Sequence, residues 1–134
     1  MSPPPNTCPC PCPCGSGRAY AACCGRWHAG EHHLRAPDAE ALMRSRYSAY
    51  VLGLGDYLHD TWHASTRPGE PTDFDPALRW LGLDVRRHLQ VDAGHALVEF
   101  VARSKRAGRA MRLHETSRFV REAGRWFYVD GDLH

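Results

Sequence analysis

From Asp38 onward the apolar positions change period once, and the change divides the chain into a helical half and a stranded half. Leu42, Tyr47 or Arg46, Tyr50 and Val51 recur at the spacing of one helix face. Asp38, following Pro37, is the expected N-cap, Ala39-Glu40-Ala41 opens the helix, and Gly53 and Gly55 close it. Asp56 is expected to cap a second helix in which Tyr57, Leu58 and Trp62 form the apolar stripe. Pro68, Gly69 and Pro71 make Ser65 to Asp75 a loop, and a brief helix is expected from Asp75 through Trp80. From Leu83 the period becomes two. Leu83, Val85, Leu89 and Val91 mark a first strand, His95 to Lys105 a second, Arg109 to Glu122 a third and Arg125 to Asp130 a fourth. Asp92-Ala93-Gly94, Ala107-Gly108 and Ala123-Gly124 supply the turns between them. Helices followed by a meander of strands predict an α+β arrangement with the sheet curling around the helices.

The first 37 residues read differently. All six cysteines lie between Cys8 and Cys24, and the remaining 110 residues after Cys24 contain none. The N-terminal Met1-Ser-Pro-Pro-Pro-Asn-Thr has no basic start and no apolar stretch, so it is not read as a signal peptide. No apolar run approaches the roughly 18–20 residues that span a bilayer. A cytoplasmic, reducing location is therefore expected, and there clustered cysteines favour metal over disulfide. Bridges within Cys12-Pro13-Cys14 or between Cys23 and Cys24 would also close very small, strained rings.

Cys12, Cys14, Cys23 and Cys24 form two close pairs separated by a short glycine-bearing loop, the spacing of a tetrahedral four-thiolate zinc site. Gly15 and Gly17 let the backbone turn its N–H groups toward sulfur, and Arg18 lies close enough in sequence to offset thiolate charge. Arg18-Ala19-Tyr20-Ala21-Ala22 would carry the second pair on a helical turn. Four sulfurs leave no open coordination position, so the zinc is expected to be structural. Cys8 and Cys10 are read as spectators in a proline-rich leader, and His28 as a linker residue. The resulting division is a leader (1–11), a zinc-binding motif (12–27), a linker (28–37) and an α+β domain (38–134), with the motif expected to unfold alone when its metal is lost.

The run Cys12-Pro-Cys-Gly-Ser-Gly-Arg-Ala-Tyr-Ala-Ala-Cys-Cys-Gly25 resembles the SEC-C motif, the zinc-binding module at the tail of the SecA translocation motor and in many other proteins. Further blocks, among them Leu42 to Tyr50, Thr61-Trp62-His63, Trp80 to Leu83, Phe100 to Arg103, Ser117-Arg118-Phe119 and Trp126 to Gly131, are similar to the YchJ-type family of bacterial proteins. That resemblance implies a SEC-C motif followed by a cone-shaped domain of the nuclear-transport-factor-2-like (NTF2-like) type. It implies no activity. Some members of the family carry a second SEC-C motif, which has no counterpart in this sequence, and Cys8 and Cys10 are additions to the usual pattern.

Cone-shaped domains of this type commonly hold a pocket between sheet and helices. On the third strand Met111, Leu113, Glu115, Ser117 and Phe119 share a face, so Glu115 is a carboxylate in the apolar phase. Arg46, Tyr47, Trp62 and His63 are the helix-side residues expected to meet it, an acid beside an imidazole being the raw material of proton transfer. The bland alternative is a buried Arg46–Glu115 ion pair that fixes packing. The sequence shows no nucleophile–base pair, phosphate loop or cofactor motif.

Two functional classes follow: a protein-interaction adaptor docking through the SEC-C module, linked to secretion or translation components, and a small-molecule-binding protein or enzyme using the cone pocket. The adaptor is the first expectation, with the cone domain supplying homodimerisation or a second surface. An open cavity where the polar groups converge would favour the second class, and a cavity filled by Trp62, Trp126 and Phe127 the first. Lys and Arg number 17 against 15 Asp and Glu, a formal charge of only +2. The basic hairpin tip from Arg103 to Arg109 is therefore read as a solvated edge and not as a nucleic-acid site.

Overall fold

The computed structural model describes residues 11–70 and 72–134. Cys8, Cys10 and Pro71, each given a role above, lie outside the described residues.

Asp38 caps the main helix, α2 (Ala39–Leu52), by accepting from the Ala41 N–H at 2.7 Å. The helix stops at Gly53, whose φ of 72° is the left-handed conformation that an amino acid with a Cβ adopts at a cost. A shorter helix, α1 (Gly25–His28), precedes it and α3 (Gly55–Asp60) follows. Asp56 does not cap α3. The N-cap is Leu54, whose N–H is held by the Ala49 carbonyl at the end of α2, so the turn between the helices fixes the start and Asp56 falls in the first turn.

Four strands follow in an antiparallel meander, β1 (Leu78–Asp92), β2 (His95–Arg106), β3 (Arg109–Glu122) and β4 (Arg125–Leu133), in the spatial order of the sequence. The helix expected from Asp75 through Trp80 is instead one turn at Asp75 and then the start of β1. Asp75 accepts from the Ala77 N–H at 2.9 Å, and Leu78, Arg79 and Trp80 pair with Arg106, Lys105 and Ser104. β2 runs far enough to offer partners there, and that pairing overrides the local helical preference. Ala107 and Gly108, and Ala123 and Gly124, all at positive φ, make the two-residue hairpin turns. Register shifts at Trp80/Gly82, Val85/Arg87 and Arg118/Phe119 are the bulges that bend such ribbons.

The inner face of the sheet carries Ala96, Val98, Phe100 and Ala102 from β2 and Ser117 and Phe119 from β3, all buried. With Leu42, Met43, Tyr47, Ala49, Tyr57, Leu58 and Trp126 they form the core. Cys12, Cys14, Cys23, Cys24 and Trp27 belong to the same buried cluster, so the cysteine segment packs onto α2. Residues 28–37, read as a linker, fold back over it: Leu34 N–H donates to Trp27 O at 3.0 Å and Ala36 is buried. No helix among the described residues is long and apolar enough to cross a membrane.

Candidate functional site

The cysteine loop is closed by its own backbone. Cys12 N–H donates to Arg18 O at 2.9 Å, Gly15 N–H to Cys12 O at 3.1 Å, and Cys23 N–H to Tyr20 O at 3.0 Å through a 3-10 turn, Tyr20–Ala22. Gly15 and Gly17 both stand at positive φ, as a loop that returns on itself requires. The four Sγ atoms of Cys12, Cys14, Cys23 and Cys24 lie within 4.8 Å of one another, all four residues are buried, and none forms a disulfide. Cys14 and Cys23 sulfurs are 3.6 Å apart. A tetrahedral ion with metal–sulfur bonds of about 2.3 Å sets its sulfurs about 3.8 Å apart, so the donor set fits a metal of that geometry.

Thiolates packed this closely repel one another unless a cation lies among them. Hydrogen bonds from Cys14 and Cys24 pull Cys12 far below an ordinary thiol, and the same contacts with Cys12 push Cys14 and Cys24 up.

The polar groups around the sulfurs come from α2 as well as from the loop. Ser16 Oγ lies 3.1 Å from Cys23 Sγ, and Ser48 Oγ of α2 lies 3.5 Å from Cys12 Sγ. Arg44 donates through Nη1 to the Cys14 carbonyl at 3.0 Å, in the place expected for Arg18, which is exposed. His28 is a pin and not a linker residue. Its Nε2–H donates to Ser45 O on α2 at 2.8 Å and its Nδ1 accepts from Tyr20 OH at 2.6 Å, with Tyr57 edge-on at 4.6 Å. Burial lowers the His28 pKa, and burial pushes the Tyr57 hydroxyl up to about 12.

On the opposite side of α2 a cavity of about 280 Å³ opens between helix and sheet. Arg46, Tyr47, Trp62, Glu115 and Ser117 all line it, so five of the six residues singled out from the sequence meet there. His63 does not. Its Nε2 bonds Glu122 at 2.9 Å and its Nδ1 Ser65 at 2.6 Å, because the bridge between Trp62 and Tyr128 and the 2.7 Å bond from His63 N–H to Tyr128 O turn the imidazole outward. Trp126 and Phe127 are also elsewhere: neither lines the cavity.

Arg46 is 5% exposed and donates through Nη1 to Leu58 O at 2.8 Å and Thr61 Oγ1 at 2.7 Å. Its guanidinium lies over Tyr128 at 4.6 Å and Trp62 at 5.1 Å. Among the described residues no carboxylate pairs with it within 4.0 Å, and burial lowers its pKa, with the field of Glu115 among the opposing influences. Glu115 accepts from Ser117 at 2.5 Å, and its carboxylate rests against Gly131 of β4, where a Cβ would stand 2.6 Å away. Trp62 Nε1 is buried with no acceptor among the described residues. Burial pushes Tyr128 up to about 12.

Sequence reasoning missed Tyr128, Gly131, Ser45 and Ser48. The signal for the serines was present: Ser45 and Ser48 interrupt a helix whose neighbours Leu42 and Ala49 are fully buried. Two of the basic positions are paired, Arg106 with Asp75 at 2.5 Å and Arg118 with Asp130 at 2.5 Å and Asp132 at 2.7 Å. A further gathering of donors, Glu99, His114 and His134, is satisfied internally by Glu99–His114 at 2.7 Å and His134–Thr116 at 2.7 Å.

Comparison with known proteins assigns both parts. Residues 38–131 match the family model of the YchJ middle NTF2-like domain, and residues 11–26 match that of the SEC-C motif. A UPF0225 protein of Bordetella parapertussis is 59% identical over 133 residues, covering 99% of each chain. The chain belongs to the YchJ-type UPF0225 family. Another UPF0225 protein, from Polaromonas naphthalenivorans, is 65% identical over 113 residues, 84% of this chain and 81% of its own. Two solved SEC-C motif proteins share the fold. One from Rhodopseudomonas palustris has a TM-score of 0.77 at 35% identity over 91% of this chain and 97% of its own. The other, from Psychrobacter arcticus, has a TM-score of 0.75 at 29% identity over 93% and 83%. The SEC-C motif and the NTF2-like domain of this UPF0225 chain thus correspond to the cysteine loop and the cavity-bearing domain described above.

Proposed function

We propose that the protein binds a small molecule in the cavity of its NTF2-like domain, with a structural zinc ion on Cys12, Cys14, Cys23 and Cys24 holding the helix that forms one wall. The observation that carries this is Arg46: a buried guanidinium on a cavity wall with no carboxylate partner among the described residues. A buried donor left without an acceptor is costly, and a ligand supplies the acceptor that Arg46 lacks among the described residues. Zinc is favoured by the all-sulfur donor set, and the free thiols accord with a reducing cytoplasm. The bound zinc would neutralise thiolates and fix the loop, with no open position for chemistry.

The reading is binding and not turnover. Glu115 has no imidazole beside it, since His63 is engaged by Glu122 and Ser65. The adaptor role stands second, because the cysteine segment turns its buried face to α2 through Ser48, Arg44 and Ser45.

Native mass spectrometry on protein purified under reducing conditions tests both halves at once. One zinc per chain and a small-molecule adduct are expected, with the adduct lost in Ala102→Leu, which fills the cavity. No adduct, or one that persists in Ala102→Leu, would overturn the binding role, and a chain without metal but with disulfide masses would overturn the zinc site.

A further inference from the structure

The polar end of the cavity is unbalanced in two directions. Arg46 uses only Nη1 for hydrogen bonds, so its Nε and Nη2 hydrogens have no protein acceptor among the described residues. Trp62 Nε1, in the adjoining wall, likewise has none. Glu115 takes one hydrogen bond, at Oε2 from Ser117, and Oε1 has no donor among the described residues. Cation and carboxylate feel one another's field yet are not within ion-pairing distance. A ligand group that fits here must accept on the Arg46 side and donate on the Glu115 side.

Charge narrows the class. One guanidinium and one carboxylate already balance, so a ligand bearing net charge would leave an uncompensated charge in the cavity. An anion would meet Glu115 and a cation Arg46. A neutral group with adjacent carbonyl and N–H satisfies both. Much of the remaining cavity wall is aromatic: Tyr47 and Tyr50 meet Trp80 at 5.6 and 6.0 Å, and Trp62 meets Tyr128 at 5.2 Å, leaving faces and edges suited to a flat ring. A volume of about 280 Å³ lies at the small end of ligand sites.

Resting on the binding role proposed above, we infer that the ligand is a small, neutral aromatic amide or lactam, its carbonyl on Arg46 and its N–H on Glu115. Glu115 is the specificity-determining residue of the site: it excludes the acid that Arg46 alone would attract.

Benzamide, benzoate, benzylamine and toluene, of nearly equal size, separate these contributions. Each is titrated into the zinc-loaded chain while the Met43 methyl resonance and the Arg46 side-chain N–H resonances are followed by NMR. Benzamide is expected to bind at least about tenfold more tightly than the other three, because mispairing a buried polar group costs a factor of that order or more. In Glu115→Gln benzoate is expected to rise to within about threefold of benzamide, since its repulsion is gone. Tighter binding of benzoate than benzamide to the wild type would overturn the amide assignment, as would a benzoate affinity unmoved by Glu115→Gln. Equal binding of toluene and benzamide would also overturn it while leaving the cavity a binding site. No shift at Met43 with any of the four would remove the binding role itself.

Discussion

The carboxylate of Glu115 lies so close over Gly131 on the neighbouring strand that a methyl group there would stand 2.6 Å from its carbon and from Oε2. Gly131 has no positive φ, so it is the carboxylate and not the backbone that needs the missing side chain. Gly131→Ala should therefore leave the fold in place and displace Glu115 from Ser117. The expected change in stability is about 1 kcal/mol or less, since the group that must give is the end of a flexible side chain. Benzamide affinity should fall while toluene affinity holds, which titration of the variant reads directly.

Loss of metal should reach beyond the loop. The four cysteines and Trp27 are part of the core that holds Leu42, Met43 and Tyr47, and Ser48 touches Cys12. A free-standing motif would unfold alone and leave the melting midpoint of the cone domain unchanged. Because this core is shared, replacing Cys12 and Cys14 by Ser should abolish zinc and lower the midpoint by on the order of 10 °C, given what structural zinc contributes to small units. Calorimetry with a metal assay on the same samples checks it.

Asp38 tests the entry of α2. Its carboxylate accepts from Ala41 N–H at 2.7 Å, and Asp38→Ala should cost about 1 kcal/mol in urea unfolding, with Asp38→Asn recovering most of it.

His28 makes stability depend on pH. An unfolded histidine takes its proton near pH 6.5, whereas burial lowers the pKa of His28 in the folded chain. Below about pH 6.5 the unfolded state therefore binds more protons, so this contribution is complete above that pH and is lost as pH falls toward the folded value. With the proposed zinc bound, protonation of its thiolate ligands would act in the same direction. His28→Gln should flatten only the imidazole share, and the difference between wild-type and variant urea midpoints at pH 5.5 and 7.5 measures it.

What could be read from the sequence was local. The cap at Asp38, the stop at Gly53, both ends of the third strand and the cysteine quartet rest on residues close together in the chain, where spacing is geometry. Alternation also placed Glu115 and Ser117 on the face that meets α2. The misses were decided by distant partners. Trp80 joins a strand because Ser104 is there to pair with it, and His63 faces outward because Tyr128 holds its backbone. Ser48 finds Cys12 across 36 residues and Arg44 finds the Cys14 carbonyl across 30, relationships no periodicity encodes.

Helix α2 has fourteen residues and thus a length of about 21 Å. Arg44, Ser45 and Ser48 meet the cysteine segment and His28, while Met43, Arg46, Tyr47 and Tyr50 face the cavity. One rod is the common wall of two rooms. A shift that seats the sulfurs better moves the floor beneath Glu115, so the two sites cannot be tuned one at a time, and substitutions made in each should fail to add.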